Sequence, residues 1–487
     1  MRHCRKIQRP LDDFDKYFIS DSALEMVQLA IEVKHPKFVN SVLNTLTKNA
    51  IGLHIKTDGV NLIREEGNLI NQNSQLAPIN VLKIPENQKN KNCDELCEWM
   101  YETHQPDFSK SLATIAADDH RVVLNSSHMC ADGGYLLYLL NKCMSDLEKT
   151  HSNSSFNESS HKNNNDNKLN YNSDENDFYL PGSVSELMKD ELEEAKNSKL
   201  EISDDLTYTP LNLFEKQSSR RSDQSCKLDS ERASELNHDV DIESFSRRIM
   251  EAAKNAKKTT YISNKSDAST FQCYDKNSKT LKGLSEYIWT GLSLIMCARN
   301  GKIGPIGINT CVDFRRFTNK YQNNEKLFCN SFTCINVVSE KKVNENMTIE
   351  EVAHEMRKNF DYLMKNKGVF VNYYRDPTKH FKPNFIFPHI SNMGPIKFKD
   401  PIADFCMAQR MNEEAASGAL AILSYSKCGN GINEVNNRLL YSPSFINEKD
   451  GHMLIDALMF FLHEIPIQTK VGDALKQLIH FQNSYKY

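Results

Sequence analysis

Residues 121–140 read RVVLNSSHMCADGGYLLYLL, and this stretch decides the fold of the first part of the chain. The mostly apolar run 121–125 predicts a short strand. From Leu136 to Leu147 apolar residues recur every three or four positions, which predicts a helix with one buried face. The sequence here therefore predicts a strand, a tight turn and a helix.

The turn between these two elements carries the pattern H-x-x-x-D-G, at His128, Asp132 and Gly133. A side chain in such a turn is held by rigid elements and can still project into a cleft. Because an imidazole titrates near neutral pH, His128 is a candidate general base for an attacking hydroxyl or amine. Asp132 is expected to orient the loop or to pair with a basic residue, and Gly133 to allow a sharp turn. The alternative is a histidine that makes only local hydrogen bonds, and the spacing alone does not choose between the two.

Helices and strands alternate along the rest of the chain without a repeat of fixed period, which predicts an α/β (α+β) fold with two sheets. Thr348 followed by Glu351 is a capping box and predicts the start of a helix. Periodicity and turn residues predict these further elements: helices at 284–295, 348–363 and 451–462, a strand at 303–312, and hairpins at 51–63 and 419–441.

Two polar stretches interrupt this pattern. Residues 151–177 are dominated by Asn, Ser and Asp, and residues 215–238 are similarly polar. Such segments bury too little apolar surface to offset their ordering entropy, so a disordered insertion is predicted. The predicted organisation is an N-terminal lobe at 1–150, a low-complexity insertion and linker at 151–240, and a C-terminal lobe at 241–487.

The composition excludes several classes of protein. The net charge of -4 without basic blocks argues against nucleic acid as a partner. No apolar run approaches the roughly 20 residues of a spanning helix. The first fifteen residues lack the apolar core of a secretory signal, so a cytoplasmic location is expected. The thirteen cysteines show no C-x-x-C spacing, so they are expected to be free thiols and no metal site is predicted. G-x-S-x-G and P-loop patterns are absent, which argues against serine hydrolases and P-loop enzymes.

The segment 128–133 resembles the active-site signature of the superfamily that contains chloramphenicol acetyltransferase, peptide-synthetase condensation domains and plant acyl-CoA-dependent acyltransferases. Other stretches resemble the same superfamily in the same order: the opening 6–18, the V-D-x-R segment 312–315 with Asn330-Ser331, and the S-N-x-G turn 391–394. Within the superfamily the chain most resembles the fungal alcohol acetyltransferase family.

The resemblance implies two chloramphenicol-acetyltransferase-like lobes, each a mixed sheet with flanking helices. It implies that His128 is the general base and that Asp132 organises the site, bridged to a second-lobe arginine for which Arg315 is the candidate. Ser391 and Asn392 are candidates for oxyanion or substrate contacts. Acetyl-CoA is the implied co-substrate.

The resemblance also implies a function, the acetyl-CoA-dependent acetylation of a small amphiphilic acceptor. The acceptor is an alcohol or the amine of a sphingoid-like amino alcohol, the latter as a detoxification reaction. The alternative is a catalytically inactive protein of this fold that binds a ligand or serves as a scaffold. Ser127 stands where condensation domains carry a second histidine, which argues against peptide synthesis. Cys130 is expected to be an inert neighbour of the histidine rather than a nucleophile.

A monomer is expected. The Met- and Phe-rich segment 453–461 is expected to pack in the core. The alternative for it is peripheral contact with a membrane such as the endoplasmic reticulum.

Overall fold

The computed structural model describes most of the chain, and the account below is limited to that part. The described ranges are 6–18, 25–65, 79–155, 179–214, 258–318, 329–373, 385–411 and 419–487. Of the predicted disordered stretches, residues 151–155 complete a helix, and 156–177 and 215–238 lie outside the described residues.

The elements alternate along the chain as the sequence predicts. The strands are β1 Lys6–Pro10, β2 Met26–Val33, β3 Ile55–Thr57, β4 Asn61–Glu65, β5 Val81–Lys83, β6 Ala113–Ala117, β7 Arg121–Ser127, β8 Thr209–Pro210, β9 Thr260–Asp267, β10 Tyr274–Asp275, β11 Thr280–Leu281, β12 Gly307–Asp313, β13 Phe332–Val338, β14 Phe385–Lys397, β15 Ile402–Arg410, β16 Ala419–Gly429 and β17 Ile432–Tyr441. The helices are α1 Asp13–Tyr17, α2 Val39–Asn49, α3 Cys93–Thr103, α4 Gly133–Ser155, α5 Val184–Leu187, α6 Lys189–Lys196, α7 Leu284–Asn300, α8 Ile349–Lys365, α9 Gly368–Tyr373, α10 Glu448–Glu464 and α11 Val471–Ser484.

Two large sheets form the two lobes. The first sheet has the order β15-β2-β7-β6-β5, and only its β5–β6 pair is parallel among the described pairings. The second sheet has the order β13-β12-β14-β16-β17-β9, with parallel pairs β12–β14 and β14–β16. The predicted mixed α/β fold with two sheet-rich lobes is confirmed.

The second half of the chain completes the first lobe. Strand β15 pairs antiparallel with β2 and so joins the first sheet, although it follows the second-lobe strand β14 in the chain. Helices α5 and α6 lie within the predicted linker, and their residues Val184 and Leu192 pack in the second-lobe core. The boundaries at 150 and 240 stay a prediction. The structure shows in addition that β15 joins the first lobe and that residues of the predicted linker pack in the second lobe.

Each lobe has its own hydrophobic core. In the second lobe α7 is buried along most of its length and packs against α8, α10 and α11. Met453, Leu454 and Phe461 of α10 lie in this core, so core packing of the Met- and Phe-rich segment is confirmed. The last predicted helix is 451–462, but in the structure a further helix, α11, follows α10. Among the described residues, no helix has both the length and the apolar character needed to cross a membrane.

Local signals located the long elements well. Thr348 accepts a hydrogen bond from the backbone of Glu351, whose carboxylate accepts one in return, so the predicted capping box is present at α8. The hairpin β16–β17 turns through Gly429, Asn430 and Gly431, all with positive φ, a conformation that glycine and asparagine tolerate.

The hairpin predicted at 51–63 is wrong in its first strand. Residues Ile51–Leu53 form a 3-10 turn, and the strand begins only at Ile55. The backbone N–H of Ile51 donates to the Tyr135 hydroxyl rather than to a strand. Gly52 packs so closely that an added Cβ would lie 2.8 Å from the sulfur of Cys130. These tertiary contacts override the local pattern.

A cluster of charged side chains, most of them buried, connects the two lobes. Arg438 of β17 donates to Asp94 of α3 at 2.5 Å and to Glu98 at 3.3 Å. Arg410 of β15 pairs with Glu98 at 3.0 Å. The ring of Tyr261 lies 3.8 Å from the Arg438 guanidinium. Burial alone would raise the pKa of Asp94, but Arg438 and hydrogen bonds to this carboxylate outweigh it, so the pKa is lowered.

We expect the substitution Arg438→Met to lower the free energy of unfolding by about 3–5 kcal/mol, because it leaves the buried carboxylate of Asp94 and the partly buried one of Glu98 with one fewer partner. The Arg438 side chain is 5% exposed. Arg357 pairs with Glu286 and Asp361 but is 47% exposed, so Arg357→Met is the matched control and should cost about 1 kcal/mol or less. Urea unfolding of the three proteins measures both effects. Equal, small losses would contradict a stabilising role for the buried cluster.

Candidate active site

His128 lies in the turn between β7 and α4, where the sequence predicts it. Its backbone N–H donates to the carbonyl of Glu25 at 2.9 Å. The residue is 5% exposed, and its imidazole packs against two phenylalanine rings that also lie near each other. Phe18 stacks on the imidazole at a centroid distance of 4.8 Å, and Phe332 lies 5.0 Å away. Because Phe332 belongs to β13 of the second sheet, both lobes hold the imidazole.

A buried carboxyl group lies near this imidazole. The register of β2 against β7 pairs Met26 with Ser127, and Glu25 is the next residue along. Burial raises the pKa of Glu25, whereas the charge of His128 and a hydrogen bond from Gln409 at 3.2 Å work in the opposite direction. Sequence analysis missed Glu25, since it is revealed only by the pairing of two strands whose partners Met26 and Ser127 lie 101 positions apart along the chain.

The surroundings of one imidazole nitrogen bear on its role. Nδ1 of His128 is buried, and no described residue provides it with a hydrogen-bond partner. Buried polar atoms in proteins are usually paired. An unpaired nitrogen beside a carboxyl of raised pKa is an arrangement more typical of a functional site than of a structural histidine.

The carboxylate of Asp132 is surrounded by hydrogen-bond donors. Its carboxylate accepts from Arg315 Nη1 at 3.0 Å and Nη2 at 2.8 Å. The backbone N–H groups of Ser331 and Tyr135 donate to it at 2.8 Å each. The side chains of Asp132 and Arg315 are both 4% exposed. The structure thus brings together the two residues that the resemblance pairs, and their contact ties the loop 128–133 to the second lobe.

The glycine pair at the start of α4 makes room for this network. Gly133 does not have a positive φ; instead, an added Cβ would lie 2.8 Å from the Met393 sulfur. At Gly134 it would lie 2.5 Å from Nη1 of Arg315, which is held in place by its ion pairs. The glycines therefore allow close approach of second-lobe side chains rather than a sharp turn. Gly134 was missed because only the folded structure brings Arg315 beside it.

The predicted oxyanion candidates lie on β14, and the structure gives them different surroundings. Asn392 accepts from the backbone of Gly394 at 2.9 Å and donates to Ser285 at 2.9 Å, so its amide stabilises the turn. Ser391 is partly exposed and lies two residues after His389, on the same face of the strand. Met393 brings this turn against the loop that carries His128.

Cys130 is fully enclosed by the first lobe. Its sulfur lies 3.3 Å from the Ser126 hydroxyl and 3.4 Å from the Ser127 carbonyl. Burial raises the pKa of Cys130 to about 12. A thiol in this state is a poor nucleophile, which agrees with the inert role expected from the sequence.

A second reactive group lies on the polar face of the second sheet. Cys311 Sγ lies 3.5 Å from the sulfur of Cys334 and 3.5 Å from Nε2 of His389. Hydrogen bonds with Cys334 and His389 lower the pKa of Cys311 although burial opposes this. No local sequence pattern indicates this group, because its three residues lie on three different strands.

Comparison with known proteins identifies the fold. The chain matches no protein-family model and no curated protein sequence. Among solved structures, polyketide synthase associated protein 5 from Mycobacterium tuberculosis matches with a TM-score of 0.55 and 10% identity over 94% of this chain and 97% of that one. The first condensation domain of the calcium-dependent antibiotic synthetase matches with a TM-score of 0.56 and 10% identity over 96% and 99%.

This chain has the fold of a condensation domain. The match covers nearly the whole of both chains, so the likeness extends to both lobes and to their relative arrangement. At about 10% identity it concerns the fold alone. The closer resemblance to fungal alcohol acetyltransferases stays a prediction.

We expect Asp132→Asn to lower the free energy of unfolding by about 3–5 kcal/mol, because it removes the charge that compensates buried Arg315. Asp313 also contacts Arg315, at 3.0 Å, but its side chain is 45% exposed. Asp313→Asn is therefore the control and should cost about 1 kcal/mol or less. Thermal and urea unfolding measure the difference. Similar costs for the two variants would mean that Asp132 does not stabilise the contact between the lobes.

Proposed function

We propose that this chain is an acyltransferase that moves an acyl group from a coenzyme A thioester to the hydroxyl or amine of a small amphiphilic acceptor. The observation that carries the proposal is the imidazole of His128, which contacts rings from both lobes of a condensation-domain fold and lies near a carboxyl of raised pKa. One neighbour of this fold, a doubly substituted mutant of the starter condensation domain of rhizomide synthetase, is described in complex with C8-CoA and Leu-SNAC. An acyl-CoA donor is therefore compatible with the fold.

The reaction needs no covalent enzyme intermediate, since a thioester is already activated. In the proposed mechanism His128 takes the proton of the acceptor as its oxygen or nitrogen attacks the thioester carbonyl. The tetrahedral intermediate then expels the coenzyme A thiolate, and the imidazolium returns the proton to the sulfur. General-base catalysis of this kind contributes about 10²–10⁴-fold.

Glu25 is proposed to support the protonated imidazole. Burial raises the pKa of Glu25, and a positive charge on His128 acts against this rise, so the carboxyl is placed to compensate that charge. Asp132 is proposed as a positioning residue, because its oxygens are engaged by Arg315 and two backbone N–H groups. Ser391, partly exposed on the same strand as His389, is retained as an oxyanion or substrate contact.

The finer assignment is acetyl-CoA as the donor and an alcohol or a sphingoid-like amino alcohol as the acceptor. The rings of Phe18 and Phe332 make the surroundings of the base apolar. An apolar environment disfavours an ammonium ion and so favours the neutral amine that must attack. A monomeric cytoplasmic enzyme with a detoxifying role remains part of this proposal.

One observation favours a second candidate function. His128 is only 5% exposed, and an acceptor must reach it. A protein that binds an acyl-CoA or an amphiphile without turnover is therefore the competing proposal. It predicts ligand binding without release of free coenzyme A.

We expect His128→Ala to reduce acyl transfer by about 10²–10⁴-fold while the protein still unfolds in one cooperative transition. His354→Ala, an exposed histidine on α8, is the control and should act as the unmodified protein. The assay measures free-thiol release from acetyl-CoA and octanoyl-CoA with pooled alcohols and long-chain amino alcohols. Mass spectrometry identifies the acylated product. Near-normal turnover by His128→Ala would remove the base assignment, and binding without thiol release by the unmodified protein would favour the ligand-binding candidate.

We expect Cys130→Ser to retain turnover in the same assay within about threefold, because a thiol of raised pKa is not the nucleophile. A trapped acyl group, sought by intact-protein mass spectrometry after mixing with acetyl-CoA alone, should be absent from position 130. Complete loss of activity together with an acylated Cys130 in the unmodified protein would instead establish a covalent route.

A further inference from the structure

Three potential metal ligands meet on three adjacent strands of the second sheet. Cys334 of β13 and Cys311 of β12 are register partners, and His389 of β14 pairs with Asn309 of β12. Among the described residues, this is the group of three or more such side chains whose ligand atoms all lie within 4.8 Å of one another. The residues are 23 and 55 positions apart along the chain, so no local spacing indicates them.

The separations suit a tetrahedral ion. Zinc with Zn–S bonds of about 2.3 Å and Zn–N bonds of about 2.0–2.1 Å holds neighbouring ligand atoms roughly 3.5–3.8 Å apart. Cys311 Sγ lies 3.5 Å from both the Cys334 sulfur and His389 Nε2. A disulfide requires sulfur atoms about 2.05 Å apart, so the observed spacing is closer to that of two ligands of one ion.

A chain of hydrogen bonds fixes the tautomer of His389. The backbone carbonyl of Ser203 can only accept, so it orients the amide of Asn336 with its nitrogen toward Ser203 at 3.1 Å. The Asn336 oxygen then accepts from Asn309 Nδ2 at 2.9 Å. The remaining Asn309 oxygen faces His389 Nδ1 at 2.7 Å. Nδ1 must therefore carry a proton, so in the neutral imidazole the lone pair is on Nε2, the nitrogen that faces Cys311.

This arrangement is that of an oriented metal ligand. Histidines that bind metals generally donate their other N–H to a carbonyl or carboxylate oxygen, which fixes the ring and raises its basicity. Cys311, Cys334 and His389 are each partly exposed, so an ion can enter. Three protein ligands leave a fourth position for water or a substrate atom, as in the Cys₂His sites of catalytic zinc enzymes.

The group also lies close to the candidate base. Phe332, whose ring contacts His128, is two residues before Cys334 on the same face of β13. Two residues of a strand span roughly 6.5–7 Å. An ion held by these thiols would therefore border the same active site.

We propose that Cys311, Cys334 and His389 bind one zinc ion at the edge of the active site. Two thiolates and an imidazole are soft and borderline ligands, a set that favours zinc over magnesium or calcium. This inference does not depend on the acyltransferase proposal, because the geometry of the three ligands is independent of the role of His128.

The test uses the full chain, stripped with a chelator under reducing conditions and reloaded with Zn²⁺ or Co²⁺. We expect one ion per chain by elemental analysis, and thiolate-to-cobalt charge-transfer absorption in the cobalt form. Cys311→Ser, Cys334→Ser and His389→Ala should each abolish stoichiometric binding. Asn309→Leu should retain the ion with an affinity about 10–100-fold lower, as expected for a residue that only orients a ligand.

Cys428→Ser is the matched control, since Cys428 is also a partly exposed free thiol but lies at the far end of β16. It should bind the ion normally, and so should His128→Ala, which separates this test from that of the base. Failure of the unmodified, reduced protein to take up Zn²⁺ or Co²⁺ would overturn the proposal. So would equal loss of binding in Cys428→Ser. Recovery of Cys311 and Cys334 only as a disulfide, with no metal uptake after reduction, would assign them instead to a redox pair.

Discussion

The buried ion pair between Asp132 and Arg315 is the contact on which the arrangement of the site depends. Both groups have left water almost completely, and such charges are tolerated only when they are paired and hydrogen-bonded. The bidentate geometry leaves little freedom for either side chain. Since Asp132 lies four residues after His128, the pair fixes the first-lobe loop against the end of the second-lobe strand β12. The candidate base is thereby held at the junction of the lobes.

The two faces of the second sheet have different roles. Ile308 and Val312 of β12 lie in the core, while Asn309, Cys311 and Asp313 alternate with them on the other face. That polar face carries Cys311, which contacts Cys334 and His389, and Asp313, which pairs with Arg315. A single strand thus supplies apolar packing on one side and the chemistry of the site on the other.

The chain builds this junction by crossing between the lobes more than once. Strand β15 leaves the second lobe to pair with β2, and β2 is the strand preceded by Glu25. Arg410 at the end of β15 then joins the buried charges around Arg438. These crossings mean that the lobes cannot separate freely, because moving one breaks sheet pairing as well as ion pairs. The site between them is correspondingly well fixed.

The sequence by itself determined most of the helices and strands and the position of the candidate base. The strand, turn and helix around His128, the capping box at Thr348 and the mixed α/β class follow from periodicity and turn residues, which act between near neighbours. Only the tertiary structure decided which distant residues meet. Glu25 beside His128, and Cys311 beside His389, depend on strand order and register, and these are set by long-range pairing that no local pattern encodes. For the same physical reason the role of Gly134 follows only from the tertiary structure, because Arg315 occupies the space that a side chain at this position would need.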